Sequence, residues 1–400
     1  MKIIKEKINQ AIDILNELDI DLWLTFCRES DSTPDPVSHL IAGSGACWLS
    51  GYFISKTGDT TVLLGQPDSS DFEQSNLYKN VITYSEDVGK ELVDIISVYN
   101  PRSIALNYSE SNYTADGLSH GLFLMLQGFL SDTPYADRLI SSEEIITRVR
   151  GRKTFAEIAL IEKAAELAAE CWEQSLEKIK TGMSEKEIAS VFLDIIHKQG
   201  STPSFNPIVN AGSKTKPGHG SPTDETLEQG DLLHVDFGVK YKGYCSDIQR
   251  VAYFKKENKP VPAKLESAFK TVSSLLHQSI AMYKPGAIGH EIDGFVREEL
   301  SKAGYPEYNH GLGHQIGQTV HDGNSIVGPL WPRYGNLGAI PLEEGNTFTA
   351  EFGVTLDGIG HISLEEDVVV TPVGGRFLCT PQTNLVVIKN DEHKSYDLKK

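Results

Sequence analysis

Twice in the second half of this chain, a pair of acidic residues is set symmetrically about a turn between two β-prone runs. Asp236 lies in Leu232-Leu233-His234-Val235-Asp236-Phe237-Gly238, and Asp247 opens Asp247-Ile248-Gln249-Arg250-Val251-Ala252-Tyr253-Phe254, with the turn residues Tyr241-Lys242-Gly243 between them. A hairpin centred near Tyr241-Lys242 sets the two aspartates opposite one another. Directly opposed residues share a face with Cβ atoms about 4.5–5.5 Å apart, so two carboxylates there repel unless a cation or a proton lies between them. Glu351 in Phe348-Thr349-Ala350-Glu351-Phe352 and Glu365 in Ile362-Ser363-Leu364-Glu365 flank Asp357-Gly358, and a hairpin centred on Gly358 opposes these two as well. A single acid on a strand is ordinarily a solvated outward side chain. Two opposed pairs call for a fold that brings both hairpins to a common positive charge, and the simplest answer is a carboxylate-rich site for two metal ions.

Between the hairpins lies His310-Gly311-Leu312-Gly313-His314-Gln315-Ile316-Gly317, followed by Val320-His321-Asp322. His310, His314 and His321 could line one face of a helix, as the histidines of helical zinc motifs do. Gly311, Gly313 and Gly317 oppose that, since each costs a helix about 1 kcal/mol relative to alanine. A glycine-rich segment that lets backbone and imidazole approach a site closely fits better. His314 then joins the four carboxylates as a fifth member of the set.

Composition fits a soluble enzyme. Four hundred residues suggest two domains, and 40% hydrophobic content is enough for sizeable cores. A formal charge of −18 opposes binding to nucleic acid or to an anionic membrane. No apolar run approaches the roughly 20 residues needed to span a bilayer. The start, Met1-Lys2-Ile3-Ile4-Lys5-Glu6-Lys7-Ile8, reads as an amphipathic helix without the features of a secretory signal. A cytoplasmic location is therefore expected. The cysteines Cys27, Cys47, Cys171, Cys245 and Cys379 are scattered and odd in number, which fits reduced thiols.

The first part alternates helical and strand patterns: a helix from about residue 5 to 18, strands near 22–26 and 60–64, a helix near 88–99 and a strand near 103–106. That alternation indicates an α/β domain. A boundary falls near residues 141–153, after which Ile158, Ile161, Ala165 and Ala168 mark the apolar stripe of a new helix. The second domain carries an internal echo. Lys180-Thr181-Gly182, Glu187-Ile188 and Lys198-Gln199-Gly200 recur 104 residues later as Lys284-Pro285-Gly286, Glu291-Ile292 and Lys302-Ala303-Gly304. A repeat of that length is too long for a solenoid. It reads as two similar halves, each contributing one pair of carboxylates to a central cleft.

With these residues in place the chain resembles the M24 metallopeptidases, the pita-bread enzymes that include methionine aminopeptidase, aminopeptidase P and prolidase. The order Asp, Asp, His, Glu, Glu matches at Asp236, Asp247, His314, Glu351 and Glu365. The resemblance implies an α/β (α+β) fold: a creatinase-like amino-terminal α/β domain over residues 1–145, then a pita-bread catalytic domain of two pseudo-symmetric halves over residues 153–390. It implies that Asp236 holds one metal, that Asp247 and Glu365 bridge, and that His314 and Glu351 complete the second. It implies substrate-facing roles for His219, in Pro217-Gly218-His219-Gly220, and for His321, with His310 behind the ligands. Two cations about 3.5–4 Å apart can lower the pKa of a shared water and stabilise the oxyanion formed at an amide carbonyl. Glu351 is then the expected proton acceptor. Four carboxylates and one imidazole form a hard site favouring Mn²⁺, with Co²⁺, Fe²⁺ or Zn²⁺ as alternatives. The implied activity is removal of an amino-terminal residue or cleavage of a dipeptide, at Xaa-Pro bonds, by a homodimer acting on short peptides. The chain departs from the usual prolidase pattern at Phe352, where proline is common after the glutamate, and at Ser363, where arginine is common. Those departures keep open a metal-dependent hydrolase or lyase of a small non-peptide, and a non-catalytic binding protein on the same scaffold.

Overall fold

Leu22-Trp23-Leu24-Thr25-Phe26-Cys27 is apolar on both alternations, so the strand it forms has to be covered on both faces. In the computed structural model, which describes residues 1–30, 32–214 and 220–389, Leu22–Cys27 is a central strand of a six-stranded mixed sheet. Leu22, Leu24 and Phe26 pack with Leu92, Ile95 and Ile96 of the helix Val88–Tyr99 and with Leu122 and Leu126 of the helix His120–Leu130. Trp23 and Cys27 point the other way, towards Ile8, Ala11, Ile14 and Leu15 of the helix Lys2–Glu17. The alternation read from the sequence is thus the observed one.

The chain divides into two compact units, Met1–Thr154 and Phe155–Lys400. The helix Glu143–Gly151 runs through residue 145 and buries Ile145, Ile146 and Val149 in the core of the first unit. Its carbonyl end is tied down by buried Lys7, whose Nζ donates to the carbonyls of Val149 at 2.6 Å and Arg152 at 2.8 Å. These are groups that a helix leaves without intrahelical donors.

In the second unit the 104-residue echo is a repeated helical motif. The helices Glu185–Lys198 and Gly289–Lys302 keep that offset at both ends. Each is preceded by a longer helix, Phe155–Leu176 or Ala263–Ile280. The entry turns contain Gly182 and Gly286 and the exits Gly200 and Gly304, all with positive φ. Gly182 N–H donates to Leu227 O at 2.7 Å and Gly286 N–H to Leu342 O at 2.8 Å, so corresponding turns anchor to corresponding strand approaches. The Glu185 helix is closed by a Ser184/Glu187 capping box.

Each helix pair backs part of one mixed sheet, whose antiparallel path runs Ile208–Ala211, Leu232–Phe237, Ile248–Lys255, Gly360–Thr371, Thr347–Leu356 and whose Ile248–Lys255 strand also pairs in parallel with Val386–Lys389. Val235, Phe237, Ile248, Ala252 and Phe254 pack with the first pair. Phe348, Ala350, Phe352, Leu364, Val368 and Val370 pack with the second. Behind the strand junction the buried pair Arg250–Glu366, at 2.8 Å, links the strand carrying Asp247's neighbours to the one carrying Glu365.

The second acidic hairpin has the expected register, with Glu351 opposite Glu365 across a turn at Gly358. The first does not. Its turn is Lys242-Gly243, with φ of 47° and 89°, the backbone of a two-residue type I′ hairpin. Tyr241 pairs with Tyr244, Phe237 with Ile248, and Asp236 with Gln249. Asp247 is therefore diagonal to Asp236 rather than opposite it, on the same face. Because Gly243 meets nothing within 4 Å, a methyl group there adds backbone strain alone. Gly243→Ala should lower stability by about 1 kcal/mol and Lys242→Asn should raise it by roughly a few tenths. Thermal melts followed by circular dichroism read both signs.

Candidate metal centre

Three ladder pairings carry one row of side chains across the sheet. Asp236 is opposite Gln249, Gln249 is opposite Glu365, and Glu365 is opposite Glu351. Period-two alternation puts Asp247 and Asp367 on the same face, two residues before Gln249 and two after Glu365. Asp247 and Glu365 are buried, whereas Asp236, Glu351 and His314 are partly exposed.

His314 enters from the short strand Gly313–His314, which pairs with Ile326–Val327 and lies against the Glu351 strand. A Cβ at Gly313 would stand 1.9 Å from the carbonyl oxygen of Thr349, so only glycine permits this approach. The His314 backbone N–H donates to Thr349 Oγ1 at 3.2 Å, and Glu351 N–H to Leu312 O at 2.6 Å. The result places His314 Nε2 3.8 Å from Asp247 Oδ2 and 4.0 Å from Glu351 Oε1. One ligand atom each from Asp247, His314 and Glu365 lie within 4.8 Å of one another.

The remaining sequence candidates fall differently. His321 is exposed, its ring 4.3 Å from that of His314. His310 is exposed, with its ring 5.6 Å from Tyr308. Its carbonyl accepts from Arg297 Nη2, and the next residue, Gly311, donates to Tyr334 Oη at 3.2 Å. His219 lies outside the described residues. Phe352 faces the hydrophobic core, whereas Ser363 is on the carboxylate face opposite Gly353. Only the second of the two departures therefore lies on the face of the acidic row.

Several participants are not evident from the acidic residues alone. Gln249 Nε2 donates to Glu365 Oε2 at 2.8 Å and to Glu351 Oε2 at 3.1 Å, while its Oε1 accepts from His234 Nε2 at 3.0 Å. Fully buried Asp367 accepts the Asp247 backbone N–H at 3.0 Å. His361 hydrogen-bonds Thr355 at 3.0 Å, and its ring is edge-on to that of His234. Alternation from Asp236, Asp247 and Glu365 would have found His234, Gln249, His361 and Asp367.

Desolvation raises the pKa of each of the four carboxyls. For Asp247 the charges of Glu365, Asp236, Asp367 and Glu351 add to it, and for Glu365 those of Glu351, Asp236 and Asp367 do. Oδ1 of Asp236 and Oδ1 of Asp247 are buried without a donor. Such a group is stable as anions only with cations in it, and hard oxygen donors with one imidazole suit a divalent ion. The residues fit that role.

The sequence profile of metallopeptidase family M24 matches residues 159–372. The chain belongs to that family. A Xaa-Pro dipeptidase of Pyrococcus horikoshii is 27% identical over 390 residues, 96% of this chain and 100% of its own length. An X-Pro aminopeptidase of Thermotoga maritima superposes with a TM-score of 0.70 at 25% identity, covering 95% of this chain and 99% of its own. A Xaa-Pro dipeptidase of Bacillus anthracis shares the fold with a TM-score of 0.74 at 24% identity, over 96% and 99%. The second unit has the pita-bread fold, and this M24 enzyme is a metal-dependent peptidase. The non-catalytic reading is thereby set aside. Among the described residues, no helix is long and apolar enough to cross a membrane.

The electrostatics of this M24 centre give a pH signature. A carboxyl with a raised pKa keeps its proton in the fold where the unfolded chain has lost it, so without metal these groups cost more stability as pH rises from about 4 through their folded values. A divalent cation on the deprotonated carboxylates removes that cost. Burial holds His234 down at about 4 and His361 at about 3. Both therefore destabilise the fold below about 6.5 with or without metal, and this contribution cancels in the difference. The gain in Tm on adding Mn²⁺ over EDTA should grow from about pH 5 to about pH 8. A gain independent of pH, measured by scanning fluorimetry, would contradict this account of the carboxylates.

Proposed function

We propose that this M24 peptidase cleaves Xaa-Pro bonds of short peptides, using two divalent cations held by Asp236, Asp247, His314, Glu351 and Glu365, with Mn²⁺ the first choice. The observation that carries this is the acidic row with His314 at its edge, in a chain aligned over 96% of its length with a protein named as a Xaa-Pro dipeptidase. In this reading Asp236 would serve one cation, His314 and Glu351 the other, and Asp247 and Glu365 would be shared by both. When bound, the cations supply Lewis acidity and a water of lowered pKa at the amide carbonyl.

The chain's own residues do the rest. Glu351, partly exposed beside His314, takes the proton released as water adds to the carbonyl, and returns it to the departing amine. His321, whose ring contacts that of His314, would donate to the oxyanion, a role this reading shares with His219. His310 fixes the approach of the His314 segment through its carbonyl and its neighbour Gly311. We further propose a cytoplasmic homodimer.

Ser363 supports a second reading of the substrate. Serine stands on the carboxylate face where prolidases commonly carry a guanidinium, which removes a fork of donors suited to a substrate carboxylate. A small non-peptide amide or amidine then replaces the dipeptide as the preferred substrate.

With Mn²⁺, Xaa-Pro di- and tripeptides should be hydrolysed and matched non-proline peptides spared. Asp247→Ala should lower kcat/KM by on the order of a thousandfold or more, since it removes a ligand shared by both cations. Liquid chromatography of the released amino acids measures both. Equal turnover of proline and non-proline peptides would reject the Xaa-Pro preference, and cleavage of small amides alone would favour the second reading.

A further inference from the structure

Gly353 and Ser363 stand opposite each other, one step along the strands from Glu351 and Glu365 and on the same face. Neither carries more than a hydroxymethyl group, so the side chains there leave a gap beside the two glutamates. His361 leans into it. By register His361 belongs one step further on, opposite Thr355, yet a Cβ at Gly353 would stand 2.7 Å from His361 Nε2. The imidazole therefore lies over Gly353, in space that a longer side chain at position 363 would cross. Nδ1 is hydrogen-bonded to Thr355 Oγ1 at 3.0 Å, and the ring is edge-on to that of His234, with planes at 79°. With Nδ1 so engaged, Nε2 is the ring atom that remains for a further partner.

The chemistry of this space differs from that of a guanidinium site. Burial, with the neighbouring imidazoles of His234 and His310, keeps the His361 ring uncharged at neutral pH. A neutral imidazole offers one hydrogen bond, where arginine offers a charge and a fork of donors. On this face the two strands carry Glu351, Gly353, Thr355, His361, Ser363 and Glu365, none of them a permanent cation. A carboxylate entering here sheds water without gaining a charged partner from either strand, which costs far more than seating a neutral carbonyl. We propose that His361 determines specificity in this enzyme: its Nε2 hydrogen-bonds the carbonyl of the substrate's proline, and the site takes Xaa-Pro units that continue as an amide in preference to dipeptides ending in a free carboxylate. Ser363 and His361 act here as one unit, the short side chain making the room and the imidazole filling it.

This inference rests on the Xaa-Pro reading, and its test separates the two. Mn²⁺-loaded full-length protein is assayed with Ala-Pro, Ala-Pro-NH2 and Ala-Pro-Ala, which differ only beyond the proline ring. The wild type should cleave the amide and the tripeptide with kcat/KM at least about tenfold above that for the dipeptide, the difference lying mainly in KM. His361→Ala should lower kcat/KM for the amide about five- to tenfold, the equivalent of one hydrogen bond between uncharged groups, and leave the dipeptide within about twofold. His361→Gln, whose side-chain N–H can reach the place of Nε2, should keep most of the preference. The double variant His361→Ala, Ser363→Arg clears the space over Gly353 and puts a guanidinium in it, and should reverse the preference. By calorimetry the product prolinamide should bind the wild type more tightly than proline does, and His361→Ala should lose that difference. A wild type that prefers Ala-Pro to Ala-Pro-NH2 would overturn the proposal and leave the Xaa-Pro reading standing, a result that needs no variant to fold. An equal loss on all three substrates in a His361→Ala protein of native circular dichroism would also overturn it, by showing the ring to be structural. Cleavage of none of the three would remove the Xaa-Pro reading itself, and this inference with it.

Discussion

Everything in the second unit is arranged around one electrostatic problem: carboxyl groups of Asp236, Asp247, Glu351 and Glu365, with Asp367 behind them, share one face of a sheet and are largely stripped of water. Burying one unpaired carboxylate already costs several kcal/mol, on the order of a domain's whole stability when several are buried together. The fold tolerates them because each is placed by a backbone ladder that the rest of the core enforces. Phe348, Ala350 and Phe352 alternate with Glu351 into the apolar layer, and Leu364 does so beside Glu365. The acids cannot swing out without moving the strands that bury these residues. A cluster so constrained is a standing demand for divalent cations.

How far this was legible depended on turn chemistry. Gly358 stands midway between Glu351 and Glu365, and the hairpin there has the register that symmetry predicts. Tyr241-Lys242-Gly243 offers two centres one residue apart, and the chain takes Lys242-Gly243, the pair best suited to positive φ at both positions. Moving the centre by one residue slides each partner by two. That preserves the face while changing the neighbour. Asp236 and Asp247 consequently remain together, but the place opposite Asp236 passes to Gln249. An amide in that place carries no charge or metal-ligand signature in the sequence.

The duplicated architecture was more legible than its detail. Glycines at 182, 200, 286 and 304 bracket two helices of matched length, since a chain that must reverse with positive φ at fixed points keeps its turns even where its side chains differ. The His314 approach was visible in outline as a glycine-rich segment. What made it necessary, the contact between Gly313 and the Thr349 carbonyl, exists only once strands distant in sequence are paired. The helix Glu143–Gly151 shows the same dependence on distant partners. Its charged sequence reads as a boundary, yet Ile145, Ile146 and Val149 and the reach of Lys7 bind it to the first unit.

The central claim is that the acidic row is balanced by divalent cations rather than by protons. Anomalous diffraction at the manganese edge, from crystals grown near neutral pH with Mn²⁺, tests it most directly. The account predicts a peak bounded by Asp247, His314 and Glu365. Density showing these side chains with no anomalous peak among them, at saturating Mn²⁺, would contradict it.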